Sequence, residues 1–329
     1  MTLKLTLGCG DYDRTAALRT GEVRPEGIEL NYLSFEPEEV FWRMVRYREF
    51  DVSELSLGSY IIRRSKGIDD LVAIPVFPSR MFRHCSIYVH AGAGISEAKD
   101  LIGKRIGVPE YQITAATWAR GILEHEFGVR PRDVSWHTGG QRTPGRVEKQ
   151  HINVGEGIHI QSLPEGHTLD QAIAAGEIDA LIAPRHPLTF MDDSGRVKRL
   201  FPNFKELEQD WYRRTGIFPI MHTIAIRRDI LQANPWAARS LMKAFEESKA
   251  RVFATTPALS ALKFSLPWLM DEWEQTEALM GKDFWPYGVE ANRQNIATLI
   301  QYSYEQGLID RVLEVDELFP ESVGEDYKI

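Results

Sequence analysis

Cysteine, long apolar runs and surplus positive charge are all scarce in this chain. Its 329 residues include two cysteines, Cys9 and Cys85, too few for a disulfide framework. No stretch approaches the roughly 18 consecutive apolar residues of a membrane span. The 39 basic residues are outnumbered by 47 acidic ones, for a net charge of −8. That balance argues against nucleic acid or an anionic membrane as the main partner, while leaving room for a local basic pocket. Motifs are missing too. There is no HExxH, no CxxC pair, no Walker loop and no GxSxG; "GCGDYD" is not GxGxxG, and "GEGIHI" follows no clear strand. Their usual metal, nucleotide and nucleophile chemistries therefore have no handle in the sequence. The Gly-Cys pair of "LTLGCG" resembles a lipoprotein cleavage site, but only eight residues precede Cys9 and Lys4 interrupts them. That is short of a signal's apolar segment. The stretch reads better as a first strand entering a glycine turn, and the chain as cytoplasmic.

What is present is alternation. "LKLTLG", "IELNYLSF", "LVAIPVF" and "CSIYVH" are apolar and β-branched, hence strands. "EPEEVFWRMVRYREF" places Val40, Phe41, Met44 and Val45 near helical spacing behind an acidic first turn, hence an amphipathic helix. "FDVSELSLGSYIIRRSKG" begins as a buried strand and passes into a helix. A fresh unit starts at "DLIGKRIGVPEYQITAATWARGILEHEFGV", with a helix that Thr114 could cap. After "IFPIMHTIAIRRDIL", another strand, come long tryptophan-rich helices. The order predicts an α/β protein of two lobes, the second inserted into the first. Residues 1–102 and 213–329 would form lobe one, and 103–212 lobe two. Two crossings between lobes would make a hinge, with a ligand cleft near the strand ends.

The polar residues in apolar surroundings are the candidate site. "FPSRMFRHCSIYVH" puts Arg80, Arg83 and His84 inside a strand-like run, where an unpaired charge costs several kcal/mol. If the strand is regular, Arg80 and His84 share one face and Arg83 the other. The reading favours Arg80 and His84 for an acidic ligand and a protein carboxylate for Arg83. Glu54 and Ser56 share a face at a strand end, where Glu54 either neutralises an arginine or acts as a base. His222 lies in the strongly apolar "IFPIMHTIAI" and is either a core histidine or a proton carrier. Tyr111 and Thr114 flank a helix N-terminus, which attracts anions. Trp118, four residues on, is either an aromatic wall of the site or core. Arg185 ends the buried run "IDALIAP", a place suited to binding a carboxylate. No cofactor is expected, although His84, His222 and Glu54 are the first suspects should a divalent metal be used.

Five blocks in one order carry a family pattern: "FDVSELSLGSY", "IPVFPSRMFRHCSIYV", "DLIGKRIGVPEYQITAATWARGIL", "GEIDALIAPR" and "RTGIFPIMHT". Together they resemble the 4,5-dihydroxyphthalate decarboxylase family, less closely over the last ~70 residues. The resemblance implies a type 2 periplasmic-binding-protein-like fold and loss of one carboxylate from a hydroxylated aromatic dicarboxylate. The ring itself would be the electron sink, so no redox cofactor is needed. On that reading Arg80 and Arg185 bind the two carboxylates. His84 or His222 protonates the ring carbon, and the other histidine or Glu54 receives the phenolic proton. The rivals are a solute-binding protein or sensor for a small aromatic anion, and a related decarboxylase with another hydroxybenzoate-type substrate. A homo-oligomer is open, since Trp268, Trp273 and Trp285 could cover a subunit interface.

Overall fold

The computed structural model describes residues 2–150, 152–192, 194–257, 262 and 264–320, and in it the alternation becomes two sheets. The chain begins with β1 (Leu3–Cys9), β2 (Ile28–Ser34), β3 (Val52–Ser56) and β4 (Leu71–Arg80). It continues through β5 (Ile87–His90), β6 (Arg105–Val108), β7 (Ser135–Thr138), β8 (His159–Ser162), β9 (Ala180–Ile182) and β10 (Val197–Arg199). β11 (Ile220–Arg227) then returns to the first sheet. That sheet has the order β2-β1-β3-β11-β4, and the other β10-β5-β9-β6-β7-β8. In the first, β1 lies parallel to β2 and β3, while β11 enters antiparallel to β3 with His222 opposite Ser56. Every residue of β3 is buried, including Glu54 at its centre.

The chain divides into two compact units, Met1–Arg80 with His222–Ile296 and Leu313–Ile329, and Met81–Met221 with Ala297–Val312. The crossing points differ from those expected at 102 and 213. Strand "IYVH" belongs to the second unit because β5 pairs antiparallel with β9 and β10. The last helical segment also changes unit: within the helix Arg293–Glu305 the chain passes from the first to the second. Ladder partners far away in sequence decide membership here, and local composition carries no trace of them. Among the described residues no helix is long and apolar enough to cross a membrane.

Two local expectations also change. β4 stops at Arg80, and His84–Ser86 form a short 3-10 turn, so strand alternation does not govern Arg83 and His84. Thr114 is the first residue of its helix rather than the cap; Ile113 holds the cap position, with no side-chain cap hydrogen bond. By contrast "FDVSELSLGSYIIRRSKG" does turn from β3 into the helix Leu57–Ser65 at Ser56, whose hydroxyl accepts from the Ser59 N–H at 3.3 Å.

Candidate active site

Glu54 sits at the centre of β3 with none of its surface exposed. A carboxylate taken out of water is tolerated only when donors replace the water. Four do so. His222 Nδ1 lies 2.5 Å from Oε1, and the Tyr12 hydroxyl donates to the same oxygen at 2.7 Å. The Gly10 N–H donates to Oε2 at 2.8 Å, and the Cys9 thiol, a weaker donor, approaches it at 3.6 Å. Burial alone would push the Glu54 carboxyl up, but the imidazole, the phenol and the Gly10 amide outweigh it and hold it below the usual carboxylate range. An ionised carboxylate can only accept, so His222 Nδ1 carries the hydrogen of that contact. Nε2 makes no hydrogen bond among the described residues. The His222 side chain is 18% exposed, with its ring edge against Phe41 at 4.7 Å between centroids. The result is an imidazole fixed in tautomer and orientation by a buried carboxylate, with its second nitrogen left for a reacting group.

The supporting layer comes from the turn after β1. An added Cβ at Gly10 would meet the Tyr12 ring at 2.8 Å, so glycine is what lets Tyr12 fold back onto Glu54. Arg14 lies over the Tyr12 ring at 4.4 Å and the Trp285 ring at 4.2 Å, and donates through Nε to the Pro78 carbonyl at 2.5 Å. Tyr32 donates to the Gly10 carbonyl at 2.7 Å. Burial, then the Glu54 charge, push the Tyr12 phenol and the Cys9 thiol up. Both stay protonated donors to Glu54 rather than acting as bases or nucleophiles.

Of the residues singled out from sequence, Glu54, His222 and Ser56 are brought together, Ser56 by its register opposite His222. Arg80 is buried; its Nη2 donates to the Pro286 carbonyl at 2.7 Å and to the Asn292 amide oxygen. Tyr111 is fully buried under the Arg120 guanidinium, 3.7 Å from the ring, and its N–H donates to Glu148 at 2.5 Å. Thr114 is buried as well. Trp118 is core: it has no exposed surface, its indole donates to the Ile220 carbonyl at 2.9 Å, and it packs edge-on to Tyr302. Arg185 is exposed, and its carbonyl accepts from Gln141. Among the described residues no three His, Cys, Asp or Glu side chains are grouped to hold a metal ion, the suspected trio of His84, His222 and Glu54 included.

His84 belongs to the second unit and is 2% exposed, edge-on to Phe201 and Trp211. Its Nδ1 stands 3.9 Å from Glu208, which accepts instead from the Cys85 N–H at 3.0 Å. Burial pushes the imidazole down to about 4, so at neutral pH it is an uncharged packing group. A histidine depressed on folding contributes stability that is complete above its unfolded value and lost as pH falls toward the folded one. Between the ordinary imidazole range and pH 4, His84 should therefore cost the native state up to about 3 kcal/mol. Glu208, pushed up by burial, works in the opposite direction. A comparison of His84→Gln with the parent by urea unfolding at several pH values isolates the histidine. The variant should lose less stability on acidification, and equal slopes would contradict the assignment.

Tyr12, Gly10 and Arg14 were missed from sequence, where "GCGDYDR" offered only a turn. The signal was there in the aromatic and the arginine following the glycine, but their partner lies more than 40 positions away.

The fold has solved counterparts. The periplasmic aliphatic sulphonate binding protein SsuA from Escherichia coli matches with a TM-score of 0.55 at 14% identity, over 100% of this chain and 96% of that one. This shows a two-lobed periplasmic-binding-protein-like α/β fold. No protein-family model matches the chain. A protein of Comamonas testosteroni named 4,5-dihydroxyphthalate decarboxylase is 41% identical over 99% of both chains. One of the same name from Pseudomonas putida is 42% identical over 64% of this chain and 82% of its own length. With such identity along nearly its whole length, the chain belongs to the 4,5-dihydroxyphthalate decarboxylase family.

Proposed function

We propose that the protein is a carboxy-lyase that converts 4,5-dihydroxyphthalate to 3,4-dihydroxybenzoate and carbon dioxide, with His222 as the proton donor. The observation that carries the residue assignment is the Glu54–His222 hydrogen bond, 2.5 Å long and wholly buried at the carboxylate end. Each carboxylate of this substrate is para to a hydroxyl, which pushes electron density onto the ring carbon bearing the carboxylate. That carbon takes the proton from His222 Nε2, and a ring C–H bond forms. The bond to the carboxylate then breaks, its electron pair restores aromaticity, and carbon dioxide leaves. Glu54 stabilises the imidazolium before transfer and keeps Nε2, not Nδ1, turned toward the substrate. His222 is reprotonated from solvent before the next turnover. The small-molecule partner is thus an aromatic dicarboxylate.

The test is to incubate the purified protein with 4,5-dihydroxyphthalate and follow substrate, product and carbon dioxide by chromatography and gas analysis. Stoichiometric 3,4-dihydroxybenzoate is the expected result. Saturable binding without product would replace the enzyme by a binding protein of the same fold.

A further inference from the structure

Tyr12 and Arg14 stand behind the Glu54–His222 pair and belong to the same compact unit as that pair. Glu54 Oε1 takes two donors, the His222 Nδ1–H at 2.5 Å and the Tyr12 hydroxyl at 2.7 Å. Both draw on the negative charge of one oxygen, so charge taken by the phenol is withheld from the imidazole. Burial and the Glu54 charge push the phenol upward and keep it a donor. An imidazolium held too firmly by its carboxylate is a weak acid, and the phenol limits that hold.

The turn by itself does not oblige Tyr12 to stay on Glu54. The residue is only partly buried, and its backbone runs straight into the 3-10 turn Asp13–Thr15. Arg14 supplies the hold. Its guanidinium lies over the Tyr12 ring at 4.4 Å and over the Trp285 ring at 4.2 Å, the geometry of a cation–π contact on each. Nε donates to the Pro78 carbonyl at 2.5 Å, and Nη1 to Asp13 at 2.9 Å. Trp285 in turn donates to the Phe77 carbonyl at 2.9 Å. Pro78 and Phe77 both lie in β4, so one side chain ties the Tyr12 ring to a buried strand of the sheet that carries Glu54 and His222.

We infer that Tyr12 and Arg14 are positioning residues for the proton transfer. Tyr12 sets how firmly Glu54 holds the His222 proton, and Arg14 keeps Tyr12 on Glu54. Their part in turnover rests on the reading of His222 as proton donor; the hydrogen-bond linkage stands apart from it.

Proton NMR of the full-length protein reads the linkage directly, because a ring N–H bonded to a buried carboxylate resonates far downfield. The His222 Nδ1 signal is assigned by its absence from His222→Gln. Tyr12→Phe removes one oxygen and leaves Glu54 one donor fewer. The signal should move further downfield, and kcat on 4,5-dihydroxyphthalate should fall about 3- to 10-fold. Arg14→Met should shift the signal the same way and lower kcat by no larger a factor. Arg14→Lys, which keeps a cation for the ring, should stand nearer the parent. In the double variant, Arg14→Met added to Tyr12→Phe should change neither signal nor kcat further, since Arg14 acts through Tyr12. Additive losses there overturn the inference, as do an unmoved signal or unchanged kcat in Tyr12→Phe. So do a parent with no downfield signal that His222→Gln removes, and variants whose melting curves show no folded state, which would make the two residues structural. The expected shifts in a protein that releases no carbon dioxide would leave the linkage standing and remove the decarboxylase reading.

Discussion

Replacing His222 with glutamine is expected to lower kcat by about 10²- to 10⁴-fold, the usual contribution of a positioned general acid. The protein should remain folded. Glutamine can still offer an N–H to Glu54, so the buried carboxylate keeps a donor in place of Nδ1–H. What disappears is the second nitrogen, which alone can carry a proton to the ring carbon. Steady-state kinetics on 4,5-dihydroxyphthalate, with a melting curve of the same sample, separates the two effects. The predicted signature is a melting temperature close to the parent's with kcat collapsed. Near-normal turnover in this variant would remove His222 from the chemistry and with it the mechanism proposed above.

Glu54→Gln should be nearly as damaging to turnover and more so to stability. The carboxylate receives donors on both oxygens, from His222 and Tyr12 on Oε1 and from Gly10 and Cys9 on Oε2. A carboxamide offers one acceptor oxygen and brings two N–H groups of its own, so donor must face donor on one side. Breaking a buried charged network by altering one member costs about 3–5 kcal/mol. The imidazole, no longer held with its hydrogen on Nδ1, can take the other tautomer, and kcat should fall by about 10²–10⁴. The pH dependence of unfolding gives an independent readout. Because the Glu54 carboxyl is held below the usual range in the folded state, it contributes stability above its unfolded value. That contribution is lost as pH falls through the lower folded one. The component should be missing from Glu54→Gln. A variant with the parent's stability and its acid slope would show that the hydrogen bonds to Glu54 carry little energy.

Arg80 and Arg83 show where a sound local rule stops applying. Alternation along a strand put them on opposite faces, and charge logic gave one to a ligand and one to the protein. The strand ends at Arg80, however, so the rule has no purchase on the residues after it. Arg80 finds Asn292 and the Pro286 carbonyl, more than 200 positions along the chain. Arg83 is the one left with weak acceptors.

By itself the sequence determined the α/β alternation, the passage from strand to helix at Ser56, and family membership through five ordered blocks. These depend on residues within about ten positions of each other, or on order alone, and side-chain periodicity is a local property. It also marked Glu54 and His222 as residues too polar for their surroundings. Only the tertiary structure decided that they belong to each other. The pair is 168 residues apart and exists because β11 returns antiparallel beside β3 in a register that sets His222 opposite Ser56. The same holds for Tyr12 and Gly10 reaching Glu54 from the β1 turn, and for β5 joining the second sheet rather than the first. Strand order and register are fixed by the summed burial and hydrogen bonding of the whole sheet, and no short stretch of the chain contains that sum.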